Sequence, residues 1–168
     1  MQPLVSIIMG STSDLPVMEK AARQLNDFAI PFEINALSAH RTPQAVAEFA
    51  SHAEERGIRV IIAAAGMAAH LGGVIASMTQ LPVIGVPVKS SFEGLDALLS
   101  IVQMPPGIPV ATVGVNAAQN AAILAIEILA LSDDRIRTQL KEFKEGLKNK
   151  ITKANDELKE VHFEFKTN

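Results

Sequence analysis

From Val60 to Val88 the chain carries no Asp, Glu, Lys or Arg. A membrane-spanning helix needs about 20 mostly apolar residues without a break. Here His70, Gln80, Pro82, Pro87 and several glycines interrupt the run, so it does not read as a span and no membrane partner is expected. The stretch reads instead as a segment buried on several sides. A chain of 168 residues still needs polar surface, so part of that burial is expected against other subunits.

Inside the stretch, "RVIIAAA" (59–65) reads as a buried strand. The glycine-bearing loop "GMAAHLGG" (66–73) follows, then a short apolar helix leading to Gln80, then a strand, "PVIGVPV" (82–88). The same alternation runs on both sides. "LVSIIM" (4–9) is a short apolar run stopped by Gly10. A helix over 14–28 places Met18, Ala21, Ala22, Leu25 and Phe28 on one face. "FEINAL" (32–37) is a strand, and Thr42-Pro43 is an N-cap followed by proline at the first helical position. The helix after it buries Val46, Phe49, Ala50 and Ala53, with Gly57 at its stop. Residues 95–102 read as a helix, "PVATVGV" (109–115) as a fifth strand, and 117–131 as a helix with few charges. Repeated strand–helix alternation implies α/β architecture, a parallel sheet covered on both faces.

Composition changes at Asp133. The last 36 residues hold 17 of the 33 charged side chains. Ile136, Leu140, Phe143, Leu147, Ile151, Ala154 and Leu158 recur every three or four residues, which makes a long amphipathic helix over 133–158. Its stripe must bury against its own domain or against a neighbouring subunit. One domain is expected over 1–168: an α/β core over 1–132, this helix, and a tail over 159–168.

The chain is 48% hydrophobic and 20% charged, which fits a globular protein. A net charge of −3 gives no reason to expect nucleic acid as a partner. Cysteine is absent, so disulfides and thiolate metal sites are excluded. "MQPLVSIIMGSTSD" has neither a basic n-region nor a small-residue cleavage site, and a cytoplasmic location is expected. Tryptophan and tyrosine are absent, which removes the usual stacking platforms for bases or flavins.

Ligands of open parallel sheets bind beyond the carboxyl ends of the strands, so the residues after each strand are the informative ones. After the first comes "GSTSD" (10–14). Its glycine allows a tight turn, its hydroxyls and the following helix N-terminus suit a phosphate, and Ser13 or Asp14 equally suits a plain helix cap. Neither GxxxxGK[ST] nor GxGxxG is present. After the second strand comes "SAHRTP" (38–43). Neighbouring strands lie about 4.8 Å apart, so Arg41 can reach a phosphate held by the first loop. His40 then faces the rest of the ligand, where an imidazole can take and give a proton at neutral pH. After the third strand, Gly66, Gly72 and Gly73 allow close backbone approach, and His70 is a second polar contact or a locally satisfied residue. His52 lies on the polar face of its helix and His162 in the tail. The four histidines lack metal-ligand spacing, and no metal is expected.

"MGSTSD", "SAHRTP", "AAHL" and "GVPVKSSFEGLDALLSIVQMPPGIPVATV" together resemble the bacterial N5-carboxyaminoimidazole ribonucleotide mutases of purine biosynthesis, class I of the phosphoribosylaminoimidazole carboxylase catalytic subunits. The likeness runs from about Val5 to Leu131. It implies a three-layer α/β/α sandwich of flavodoxin-like type, a homo-octamer, and transfer of a carboxylate from the exocyclic nitrogen of the ribonucleotide to ring carbon C4 without metal, ATP or other cofactor. By motif, Ser11 and Ser13 match serines near the phosphate and Asp14 the aspartate on the ribose. Ser38 and Arg41 match the phosphate pocket, His40 the catalytic histidine, and His70 a histidine of the loop lining the base. Gly66, Ala69 and Leu71 belong to the same loop and are expected at the substrate. A frequent family form of that loop is GGAAHLPG; this chain has Met67 and Gly72 at the two departures, and the glycine costs backbone rigidity.

Three other functions compete. One is an aminoimidazole ribonucleotide carboxylase that uses CO2 directly, whose loop differs from "AAHL". Another is a flavodoxin-like FMN carrier, which the missing Trp and Tyr disfavour. The third is a non-catalytic module that binds a phosphorylated ligand.

Overall fold

The computed structural model describes residues 2–168. They fall into two compact units, one ending at Leu129 and the other beginning at Ala130.

The first unit is built on five parallel strands: β1 (Val5–Met9), β2 (Phe32–Ala36), β3 (Val60–Gly66), β4 (Val83–Val88) and β5 (Ala111–Thr112). Their order is β2-β1-β3-β4-β5. This is the flavodoxin-type order, whose direction reverses between β1 and β3 and leaves a crevice at the carboxyl ends there. Helices α1 (Leu15–Asp27) and α5 (Ala118–Leu129) pack together on one face. Helices α2 (Pro43–His52), α3 (Leu71–Ala76) and α4 (Leu95–Val102) share the other.

The charge-free stretch supplies the middle of this sheet. Every residue of β4, and of β3 up to Ala65, is buried. Side chains alternate between faces along a strand. Ile61, Ala63 and Ala65 enter the core beneath α2, α3 and α4, and Val60, Ile62 and Ala64 are buried on the opposite side. A strand covered on both faces has no place for a charge, because a buried charge without a partner costs several kcal/mol or more. At Gly85 an added Cβ would lie 2.4 Å from Ile101 Cγ2, so the lack of a side chain lets α4 sit down on the sheet.

Two expectations need correction. The fifth strand is two residues long rather than 109–115. Pro109 has no amide hydrogen to give to a ladder. On β4, the Pro87 carbonyl accepts from Asn116 on the β5 side. The N–H and C=O of one residue point the same way in a parallel pair, so the donor that Pro87 lacks is missing toward β5. Thr42 does precede α2, but its hydroxyl does not cap that helix. Instead Thr42 Oγ1 accepts from Ser38 N at 3.0 Å and donates to Ser38 O at 3.1 Å, closing the turn that carries His40 and Arg41.

The second unit is dominated by α6 (Asp134–Lys159), the long C-terminal helix expected from the apolar repeat. Asp133 caps it, its Oδ1 accepting from Ile136 N at 3.0 Å. Ile136 is buried, whereas Leu147, Ile151 and Leu158 farther along the stripe are exposed. Among the described residues no helix is long and apolar enough to cross a membrane.

Candidate active site

Strand register brings the loops to one level. Met9 at the end of β1 pairs with Ala36 of β2 on one side and Ala64 of β3 on the other. Gly66 pairs with Val88 at the end of β4. The segments that leave these strands therefore surround a single cleft of about 630 Å³. Ser11, Ser13, Asp14, Ser38, His40, Arg41, Gly66, His70 and Leu71 all line it. Ala69 does not; it is 1% exposed and points into the core under α2 and α3.

The first loop is a short 3-10 turn, Thr12–Asp14, ahead of α1. Ser11 Oγ accepts from Ser13 N at 3.3 Å and from Ser13 Oγ at 2.9 Å. Neither Ser13 nor Asp14 caps α1 with its side chain, so these groups are not spent on the helix start. Burial pushes the Asp14 carboxyl above its ordinary value, against the opposing pull of hydrogen bonds from the Ser13 hydroxyl and the Ser11 backbone.

The second loop divides its two basic residues. Arg41 Nη2 donates to Gly10 O at 2.7 Å and Arg41 Nε donates to Ser38 Oγ at 3.3 Å. The guanidinium is thereby held beside the first loop, where its positive charge and the serine hydroxyls face the same space. His40 turns instead to the third loop, with Nε2 3.2 Å from His70 Nδ1. That third loop has a conformational demand: Met67 stands at φ 53, in the left-handed region that favours glycine. Gly66 permits a close approach, since a Cβ there would meet Ser90 Oγ and the Val88 carbonyl, each at 3.2 Å.

Val88, the last residue of β4, and Lys89 and Ser90 after it also line the cleft. They were not singled out from sequence, although the rule of inspecting each strand's carboxyl end covers them. Lys89 pairs with Glu93, and its amide donates to Asn116 Oδ1 at 2.9 Å. Among the described residues no three His, Asp or Glu side chains gather as metal ligands would. A second cleft, about 640 Å³, opens at the amino ends of β1 and β2 between Pro3 and Phe32. Its one acidic side chain, Glu33, is already engaged by Ser6, Asn35 and Arg56.

The family model described as AIR carboxylase matches residues 4–150. A Pyrococcus horikoshii protein named N5-carboxyaminoimidazole ribonucleotide mutase is 57% identical over 164 residues, covering 97% of this chain and 93% of that protein. A Thermotoga maritima protein of the same name is 56% identical over 162 residues, covering 96% and 95%. The crystal structure of Treponema denticola PurE superposes with a TM-score of 0.86 at 35% identity, covering 94% of this chain and 99% of that one. With its five parallel strands, its serine-rich first loop and its His–Arg second loop, the chain belongs to the AIR carboxylase family.

Proposed function

We propose that this protein is an N5-carboxyaminoimidazole ribonucleotide mutase of purine biosynthesis. It moves a carboxylate from the exocyclic nitrogen of the substrate to C4 of the imidazole ring, without metal or ATP, in the cytoplasm and as a homo-octamer. The observation that carries this reading is the division of labour between chain neighbours. Arg41 is tied to the first loop and His40 to the third, within one cleft. A ribonucleotide needs such a pair of poles, an anion site for its phosphate and a proton-handling group at its ring.

In this scheme Ser11, Ser13, Ser38 and Arg41 hold the phosphate and Asp14 holds the ribose. The imidazole ring lies against Gly66, His70 and Leu71. The N–C bond to the carboxylate breaks, its electron pair stays on nitrogen, and that nitrogen takes a proton from His40 as CO2 leaves. C4, which behaves as an enamine carbon, attacks the trapped CO2. His40 then removes the C4 proton, which restores aromaticity and returns the histidine to its starting state. The buried, charge-free walls of β3 and β4 retain CO2 beside C4. Held reactants reach effective molarities of about 10⁵ M or more, and proton transfer by a positioned group contributes about 10²–10⁴-fold.

The family description, AIR carboxylase, favours a second reading in which the uncarboxylated ribonucleotide is carboxylated directly. Supplying purified protein with the carbamate substrate, and separately with the uncarboxylated ribonucleotide plus bicarbonate, decides between them. Turnover of the carbamate without added bicarbonate is expected. Turnover of the second mixture alone would assign the carboxylase.

A further inference from the structure

His40 and His70 are 30 residues apart in sequence and touch through their rings. The ring centroids are 5.3 Å apart and the planes cross at 87°. Two facing imidazole nitrogens can bond only when one carries the hydrogen and the other a lone pair. The contact therefore ties the tautomer of one ring to that of the other. Among the described residues His70 is the only side chain bonded to the His40 ring. The other charged groups lining the cleft are committed elsewhere: Arg41 to Gly10 and Ser38, Lys89 to Glu93, and Asp14 to the first loop. Both histidines also ride on closed turns. Thr42 N donates to Ser38 O at 2.8 Å beneath His40, and His70 N donates to Ala68 O at 2.8 Å.

We propose that His70 is a positioning residue for His40. This rests on the function proposed above, in which His40 exchanges the proton. The terminal torsion of a histidine is broad when nothing restrains it. The bond from Nε2 to His70 removes that freedom, fixes which ring nitrogen takes part in the shared hydrogen bond, and leaves Nδ1 as the nitrogen presented to the ligand. It is the logic of a base held from behind by a third group, with an imidazole where a carboxylate often stands.

The test compares His70→Leu with His70→Asn, whose amide can restore a hydrogen-bonding atom close to where Nδ1 stood. The first readout is the ¹⁵N shifts of the His40 ring in ligand-free, full-length protein. One protonated and one bare nitrogen are expected in wild type and in His70→Asn, and shifts drawn toward the average of the two tautomers in His70→Leu. The second readout is turnover. His70→Leu is expected to lose at least about 10-fold in kcat in addition to any rise in KM from its place in the cleft wall, and His70→Asn to recover most of the kcat loss. Unchanged His40 shifts in His70→Leu overturn the proposal, as does a KM effect with kcat preserved. If wild type turns over no carbamate substrate, the proposed function fails, while the nitrogen shifts still decide the pairing.

Discussion

The guanidinium of Arg41 donates to the carbonyl of Gly10 at 2.7 Å, which joins the loop after β2 to the loop after β1 across the strand boundary. That bond places a permanent positive charge at the mouth of the hydroxyl-rich turn. Its removal is expected to weaken ligand binding more than turnover. A charge-assisted hydrogen bond contributes about 1.5–3 kcal/mol, so Arg41→Ala should raise the dissociation constant of the ribonucleotide product by about 10- to 100-fold. Calorimetric titration checks this, with kcat at saturation falling much less.

His40→Asn keeps a side-chain amide of similar reach and loses the titrating ring. Binding of the ribonucleotide should stay close to wild type while kcat falls by at least about 10²-fold. Single-turnover measurement separates the two steps. Near-normal turnover would remove His40 from its role and assign the proton to another group of the cleft.

Asp14 gives a prediction for stability against pH. Its carboxyl is raised above the ordinary 3.8 by burial, so the folded protein holds that proton more tightly than the unfolded chain does. The sign follows from linkage: this group favours folding while protonated, and its contribution declines as pH rises from the unfolded value through the folded one. Asp14→Asn should therefore flatten that part of the curve and raise the melting temperature at neutral pH relative to wild type. Denaturant titrations and thermal melts of both proteins from acidic to neutral pH measure it.

Met67 occupies a left-handed backbone conformation at φ 53 and is exposed. A non-glycine residue there costs about 1–2 kcal/mol, partly offset by the greater freedom glycine gains on unfolding, about 0.4–1 kcal/mol. Met67→Gly should be neutral to stabilising by about 1 kcal/mol, read from the urea midpoint. Substitution by a β-branched residue, Met67→Val, should lower it.

Gly72 lies in α3 without a positive φ, and an added Cβ would meet Ala63 Cβ and Val110 Cγ1 at 3.7 Å each, ordinary contact distances. Gly72→Ala should stabilise by about 0.4–1 kcal/mol and leave the cleft unchanged. A gain in melting temperature without a change in KM is the expected result.

Much of this architecture could be read from the chain because β1, β3 and β4 are buried on both faces. Such strands appear as unbroken apolar runs, and the loops that matter come directly after them. "SAHRTP" announced itself by placing an imidazole and a guanidinium at such an end. What could not be read depends on partners remote in sequence. The truncation of β5 follows from a donor missing at Pro87 on the neighbouring strand, not from the β-rich composition of 109–115. Ala69 turns inward while its neighbour His70 turns to the cleft, a difference set by how the chain enters α3. Thr42 has the signature of a cap, but the turn holding His40 uses its hydroxyl first. The bond between His40 and His70 joins two loops whose spacing in sequence carries no sign of it.

The space between β4 and α4 is closed at Gly85, where the neighbouring Ile101 methyl leaves room for a hydrogen and nothing larger. Lys89 and Ser90 hang between the end of that strand and the start of that helix, and they form one wall of the cleft. A methyl added at Gly85 would press on Ile101 and lift α4 from the strand, parting the two elements between which that wall is strung.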